Sequence, residues 1–119
     1  MWVYRQRTGA LIDPSGKHVA TGYSGKGKHK NNPDSENLRG EGPIPRATYT
    51  IGKPYDSAKV GPFCLPLTTA ELIHGRSAFL IHGDTIKAPG NASNGCIILP
   101  RKVRNAILDS GDRVLKVVE

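Results

Sequence analysis

Ala78-Phe79-Leu80-Ile81-His82-Gly83-Asp84 is followed, after a short loop, by Ala92-Ser93-Asn94-Gly95-Cys96-Ile97-Ile98-Leu99. The first run is four apolar residues that end directly on a histidine. It reads as a buried strand delivering His82 to its end. Pro89-Gly90-Asn91 marks a loop across Thr85 to Asn94. Gly95 then leads into Cys96 and a second apolar run. Short apolar runs separated by turn residues are the signature of β-structure.

The same punctuation extends in both directions. Trp2 to Gln6 alternates large and polar residues and predicts a strand. Thr8-Gly9 turns it back into Ala10-Leu11-Ile12. Asp13-Pro14-Ser15-Gly16 is a turn with proline where φ near −65° is needed, and His18 to Tyr23 predicts a third strand. Ser24 to Gly42 is rich in glycine and lysine and poor in apolar residues, which predicts a long exposed loop. Ala47 to Ile51 is β-branched and alternating, hence a strand. Pro62-Phe63-Cys64-Leu65-Pro66 predicts a short edge strand, since prolines bracket it. Thr69 to His74 predicts one or two helical turns stopped by Gly75. Pro100 opens a helix whose apolar face is Val103, Ala106 and Ile107, Gly111 ends it, and Arg113 to Val118 predicts a last strand.

A chain of 119 residues fits one domain, residues 1–119. The fold class expected is mainly β, a β-rich α+β domain with one main helix near the C-terminus. With glycine counted and tyrosine left out, apolar residues make up roughly 45% of the chain, the ordinary globular range, so disorder of the whole chain is not expected. No run approaches the about 20 apolar residues of a membrane helix, so no membrane insertion is expected. Met1 to Arg7 lacks the apolar stretch of a secretory signal, so any work outside the cytoplasm is expected to need another delivery route. The net charge of +7 predicts attraction to polyanions, and charge alone selects none of them.

Two cysteines are too few for a disulfide scaffold. Cys96 is the candidate nucleophile. A free thiol has a pKa of about 8.5 and needs a base at neutral pH. His82, 14 residues upstream, sits at a rigid strand end and can supply it once the loop folds back. A carbonyl near Gly83 or the carboxylate of Asp84 can orient the imidazole. Gly95 permits a sharp turn that aims neighbouring amides at one point, as an oxyanion hole requires. Against this, cysteine is among the most often buried and inert residues. Cys64 reads as such a core residue, and a Cys64–Cys96 bridge, which would block catalysis, stays open. His18, His29 and His74 read as surface or structural residues. Cys64, His74, His82 and Cys96 lack metal-ligand spacing, so no metal and no cofactor is expected.

Phe79 to Asp84, the loop, and Ala92 to Leu99 together resemble the catalytic core of the L,D-transpeptidase family, with its strand ending in Ile-His-Gly and its Ser/Thr-His-Gly-Cys turn. Gly42-Pro43-Ile44-Pro45-Arg46 leading into Tyr49-Thr50-Ile51 resembles its substrate-side segment. Trp2-Val3-Tyr4 and Ala20-Thr21-Gly22-Tyr23-Ser24-Gly25 are similar to a compact branch, the type VI secretion effectors of this type. The resemblance implies a β-sandwich or barrel, Cys96 as nucleophile, His82 as base, and the Gly83 carbonyl as its orienter. It implies an oxyanion hole from the amides of Asn94, Gly95 and Cys96, with Ser93 shaping the turn. Asn94 stands where the family has histidine, and Ile98 where it often has arginine. Substrate carboxylates must then meet other groups, with Arg46, Arg76 and Arg101 as the candidates by charge, beside Ser93 and Asp84.

The implied substrate is the tetrapeptide stem of peptidoglycan, cut between the L-centre of the third residue and the terminal D-alanine. The implied outcomes are L,D-carboxypeptidase hydrolysis, exchange with a D-amino acid, or cross-linking. The effector branch further implies delivery from the cytoplasm to a target periplasm and a cognate immunity protein. The rival reading is a non-catalytic polyanion- or wall-binding module using Lys26 to Lys30. That run has no interleaved aromatics and no nucleic-acid motif, so nucleic acid is not an expected partner.

Overall fold

The computed structural model describes residues 1–71, 73–85 and 89–119. Leu72 and residues 86–88, which fall within the expected helical turn and the expected loop, lie outside the described residues. The strands are β1 (Trp2–Arg5), β2 (Ala10–Ile12), β3 (His18–Thr21), β4 (Tyr23–Ser24), β5 (Ala47–Ile51), β6 (Tyr55–Ser57), β7 (Gly61–Thr68), β8 (Phe79–His82), β9 (Ile97–Ile98) and β10 (Val114–Val118). Helix α1 spans Arg101–Asp109, with Pro100 as its N-cap. The fold is mostly β with one main helix near the C-terminus, as the sequence predicts.

The hydrogen-bonded order is β3-β2-β1-β10-β5-β7-β8-β9-β4, with β6 paired to β7. The two end strands of this order, β3 and β4, are separated in the chain by Gly22 alone. The ends of the sheet therefore meet, and the sheet curls around on itself. Gly22 makes that meeting possible: its N–H donates to Gly9 O at 2.8 Å, and a Cβ there would stand 2.1 Å from Ile98 O. The expected single strand from His18 to Tyr23 is thus split in two, each half serving a different edge.

Alternation places the core. Trp2 and Tyr4 of β1, Tyr49 and Ile51 of β5, Phe79 and Ile81 of β8, and Leu115 and Val117 of β10 are all buried. Tyr49 and Phe79 meet edge to face at 5.8 Å. The Tyr4 hydroxyl is buried without a partner among the described residues. Burying such a group costs free energy that a phenyl ring would not. Tyr4→Phe is therefore expected to leave stability unchanged or raise it by about 1 kcal/mol, read from urea unfolding.

Several expectations are corrected. β7 is eight residues long and central, bonded to β5, β6 and β8. Pro66 is tolerated there because its carbonyl accepts from Gly52 N–H at 2.8 Å. In an antiparallel ladder a residue's N–H and C=O point the same way. The missing donor thus faces the connection beyond Ile51, the last paired residue of β5. No described residue of Thr69 to His74 is helical, and left-handed φ values at His74 and Gly75 form a turn instead. On α1 the buried face is Arg104 and Ile107 with Val103 half-buried, while Ala106 is exposed. The segment from Ser24 to Gly42 is only partly a solvated loop. It contains short 3-10 turns at Gly27–His29 and Pro33–Ser35, and Ser24, Gly25, Pro33, Ser35 and Gly42 are buried.

Candidate active site

β8 and β9 are parallel neighbours, Ile81 opposite Ile97 and His82 opposite Ile98. Parallel strands cannot be joined by a hairpin, so the chain must make a long connection between them. That connection, residues 83–96, carries Asp84, Ser93, Asn94 and Gly95, and Cys96 closes it. Ile81 and Ile97 enter the core, and alternation turns Leu80 and His82 to the other face. There they line a cleft of about 570 Å³ together with Cys96, Asn94, Tyr55 and Lys59. Both cysteines are free thiols. Cys64 is fully buried and donates to Gly61 O at 3.2 Å, whereas Cys96 is half-buried.

His82 Nδ1 lies 2.9 Å from the Gly83 carbonyl. A carbonyl only accepts, so Nδ1 carries the proton and Nε2 presents a lone pair. Burial lowers the His82 pKa, the Gly83 carbonyl opposes this, and the Arg104 guanidinium reinforces it. Burial raises the Cys96 thiol pKa, with the Leu80 amide pulling the other way. Both shifts favour the neutral forms, imidazole and thiol. Alkylation of Cys96 by iodoacetamide is accordingly expected to be slow at pH 7 and to rise at higher pH than for an ordinary thiol, followed by mass spectrometry. Fast labelling at pH 7 would contradict it.

The turn before Cys96 is tied from inside. Ser93 Oγ accepts from Gly25 N–H at 2.9 Å and Gly95 N–H at 3.1 Å, and donates to Cys96 O at 2.6 Å. Ser24 Oγ donates to Gly95 O at 3.3 Å and accepts from Ile44 N–H at 2.8 Å. A trans peptide holds its N–H opposite its C=O. With Gly95 O held inward, the Cys96 N–H is turned away from Ser24, outward from the buried hydroxyls. The Gly95 amide is occupied by Ser93 and is not open to an oxyanion. The amides of Asn94 and Cys96 have no acceptor among the described residues.

The other candidate residues divide by place. Ser93 is 1% exposed and organises the turn rather than lining the cleft. Asp84 Oδ1 accepts from Tyr23 OH at 2.6 Å and Thr85 N–H at 2.9 Å, and its Oδ2 accepts from Gly90 N–H at 3.0 Å. It braces the crossover. Arg46 pairs with Glu36 at 2.8 Å and lines neither wall of the Cys96 cleft. Arg101 lies over the Phe63 ring at 4.3 Å, away from those walls. Arg76 is the one of the three that lines a pocket with Cys96, and its Nη2 would stand 2.2 Å from a Cβ at Gly95.

Sequence reasoning does not single out Arg104, which is 4% exposed. Its Nε donates to Phe63 O at 3.0 Å and its Nη1 to Leu99 O at 2.5 Å, beneath Gly83. A basic residue beside the apolar positions of α1 was its only signal. Tyr23 is also missed. Burial and the Asp84 hydrogen bond push its hydroxyl pKa up to about 12, and that hydroxyl accepts from Ala92 N–H at 3.0 Å. In the basic run Lys26 and Lys28 are exposed, while Lys30 donates to Gly90 O and lies 4.5 Å over the Tyr23 ring. Among the described residues no group of three or more His, Cys, Asp or Glu is placed to hold a metal ion. Nor is any helix of the described residues long and apolar enough to cross a membrane.

The model of the Tlde1 domain matches residues 18–118. The chain belongs to the Tlde1 domain family. A Tlde1 domain is that of a type VI secretion effector directed at peptidoglycan, of L,D-transpeptidase-like type. The match runs from β3 through β10 and includes the whole crossover. β1 precedes the matched span and yet lies between β2 and β10 in the sheet. No curated protein and no solved structure matches the chain.

Proposed function

We propose that this Tlde1 domain is a cysteine acyltransferase that cuts tetrapeptide stems between the L-centre of the third residue and the terminal D-alanine. The observation that carries the reading is the shared cleft: His82 with an open Nε2, Cys96 and Asn94 all line it. As the thiol attacks the carbonyl, His82 Nε2 takes its proton and a C–S bond forms. The oxyanion is held by the Asn94 and Cys96 amides. Collapse breaks the C–N bond, and His82 returns the proton to the leaving amine. The thioester on Cys96 is then resolved by water, which restores the thiol and releases a tripeptide. A D-amino acid can take the place of water, giving exchange. No metal or cofactor takes part in these steps.

The reading follows the charge as well. Lys59 lines the His82 side of the cleft, where the terminal carboxylate of the departing D-alanine would lie. Delivery into a target periplasm and restraint by an immunity protein in the producing cell complete the proposal. The test is intact-protein and product mass spectrometry after incubation with purified disaccharide-tetrapeptide. Loss of the terminal D-alanine, with a transient adduct on Cys96, is the expected result. Added D-amino acid should appear in the stem where exchange operates. An unchanged stem with no adduct under reducing conditions would overturn the reading.

A further inference from the structure

Cys96 stands between two arms of the cleft. Asn94, Cys96, Ala78 and Phe79 line the arm that holds His82, and the same four line a second pocket of about 250 Å³. His82 is not part of the second pocket. Its further walls include Arg39 and Arg76, and no carboxylate lines it. The two arginines differ in kind. Arg76 is fixed: Nη1 donates to Glu36 O at 2.6 Å and Pro43 O at 2.7 Å, and Nη2 donates to Gly42 O at 3.1 Å. Its plane lies over the Phe79 ring at 5.3 Å. These bonds use both protons of Nη1 and one of Nη2, so one Nη2 proton and the Nε proton remain. The Glu36 carboxylate is engaged with Arg46 at 2.8 Å and His74 at 2.9 Å. Arg39 is exposed and has no ion pair among the described residues.

Direction follows from proton transfer. His82 must reach the leaving amine, so the departing residue lies in the His82 arm. The acyl portion, on the other side of the scissile carbonyl, must then run into the other arm. We propose that the Arg39–Arg76 pocket is the subsite for a carboxylate on the acyl portion of the stem, the part that stays on Cys96. A pre-placed guanidinium and an exposed one suit a carboxylate, which accepts on two oxygens. The acyl portion offers two such groups, the α-carboxylate of its second residue and the distal carboxylate of its third residue where that is a diamino acid. This inference rests on Cys96 being the nucleophile and on the polarity that His82 imposes.

The test separates binding from turnover. Cys96→Ala protein is titrated calorimetrically with the tetrapeptide stem, and with stems amidated at one carboxylate or at the other. Arg39→Ala is added to that background, since Arg39 is exposed and its removal leaves packing intact. Arg39→Ala is expected to weaken binding of the native stem about five- to tenfold, the range of one hydrogen bond to a charged group near the surface. Arg39→Lys should restore part of the loss, and raised salt should narrow the difference. The stem amidated at the recognised carboxylate should bind Arg39→Ala and Arg39-intact protein equally, which identifies the group. Equal binding of the native stem to both proteins would overturn the proposal. So would the same Arg39→Ala loss on both amidated stems. Carboxylate-dependent binding without any cleavage by wild-type protein would sink the catalytic reading and with it the assignment to the acyl portion, leaving a carboxylate-binding pocket alone.

Discussion

Cys96→Ala is expected to abolish release of D-alanine from tetrapeptide stems while leaving the fold intact. The thiol is the proposed site of the covalent intermediate and lines the cleft beside His82, and the exchange of Sγ for hydrogen opens little volume. His82→Ala should lower kcat by about 10²- to 10⁴-fold, the usual contribution of a positioned general base. The loss is expected in kcat more than in KM, because the imidazole acts on protons that move only during reaction. Activity of wild-type protein should fall on the acid side as His82 takes a proton. Its pKa lies below the ordinary value because it is buried and near Arg104, so that limb should fall below about pH 6.5. The sign for stability is the same. The folded chain binds this proton less readily than the unfolded one. The resulting destabilisation is absent above about pH 6.5 and grows as pH falls towards the folded pKa. Full activity of Cys96→Ala, or an acid limb above pH 7, would remove the basis for the mechanism.

Gly95→Ala should be nearly as damaging, for a reason of backbone rather than chemistry. Gly95 has φ of +124°, which an L side chain rarely adopts. A Cβ would also stand 2.2 Å from Arg76 Nη2 and 3.3 Å from Gly42 O. The turn can relieve this only by moving, and it carries the Asn94 and Cys96 amides and the proposed nucleophile. A displacement near 1 Å costs on the order of 10² in rate. The strain itself should lower stability by about 1–3 kcal/mol. Urea unfolding and stem cleavage measured together would show both losses. Wild-type turnover by Gly95→Ala would mean that the turn does not position the reaction.

The parts of the fold legible in the chain are those written in local chemistry. Alternation in Trp2 to Gln6, Ala47 to Ile51 and Arg113 to Val118 predicts β1, β5 and β10 to within a residue or so. Pro100 and Gly111 bracket α1 because proline suits a helix start and glycine a helix end. What failed was judged locally and decided elsewhere. Prolines at 62 and 66 suggest an edge strand, yet β7 is central, because Pro66 turns its donorless side towards Gly52, past the end of the β5 ladder. The helical turn expected at Thr69 to His74 gives way to a reversal at His74 and Gly75 that leads towards Arg76 and β8.

The site divides along the same line. His82, Gly83, Gly95 and Cys96 are singled out by residue type and spacing, and those properties belong to the sequence. Charge alone cannot rank Arg46, Arg76 and Arg101. Only the folded chain brings Arg76 against Gly95, draws Arg46 to Glu36 and lays Arg101 over Phe63. Arg104 and Tyr23 are silent in the sequence because Phe63 and Asp84, which they bond, lie 41 and 61 residues away. Residue order is enough to place most of the strands and turns and to name His82 and Cys96 as a candidate pair, since torsional preference and side-chain alternation act over a few residues. Only the folded chain settles which strands pair in parallel, which amides remain open and which cation lies against the turn before Cys96. Those are matters of distance between residues far apart in the chain.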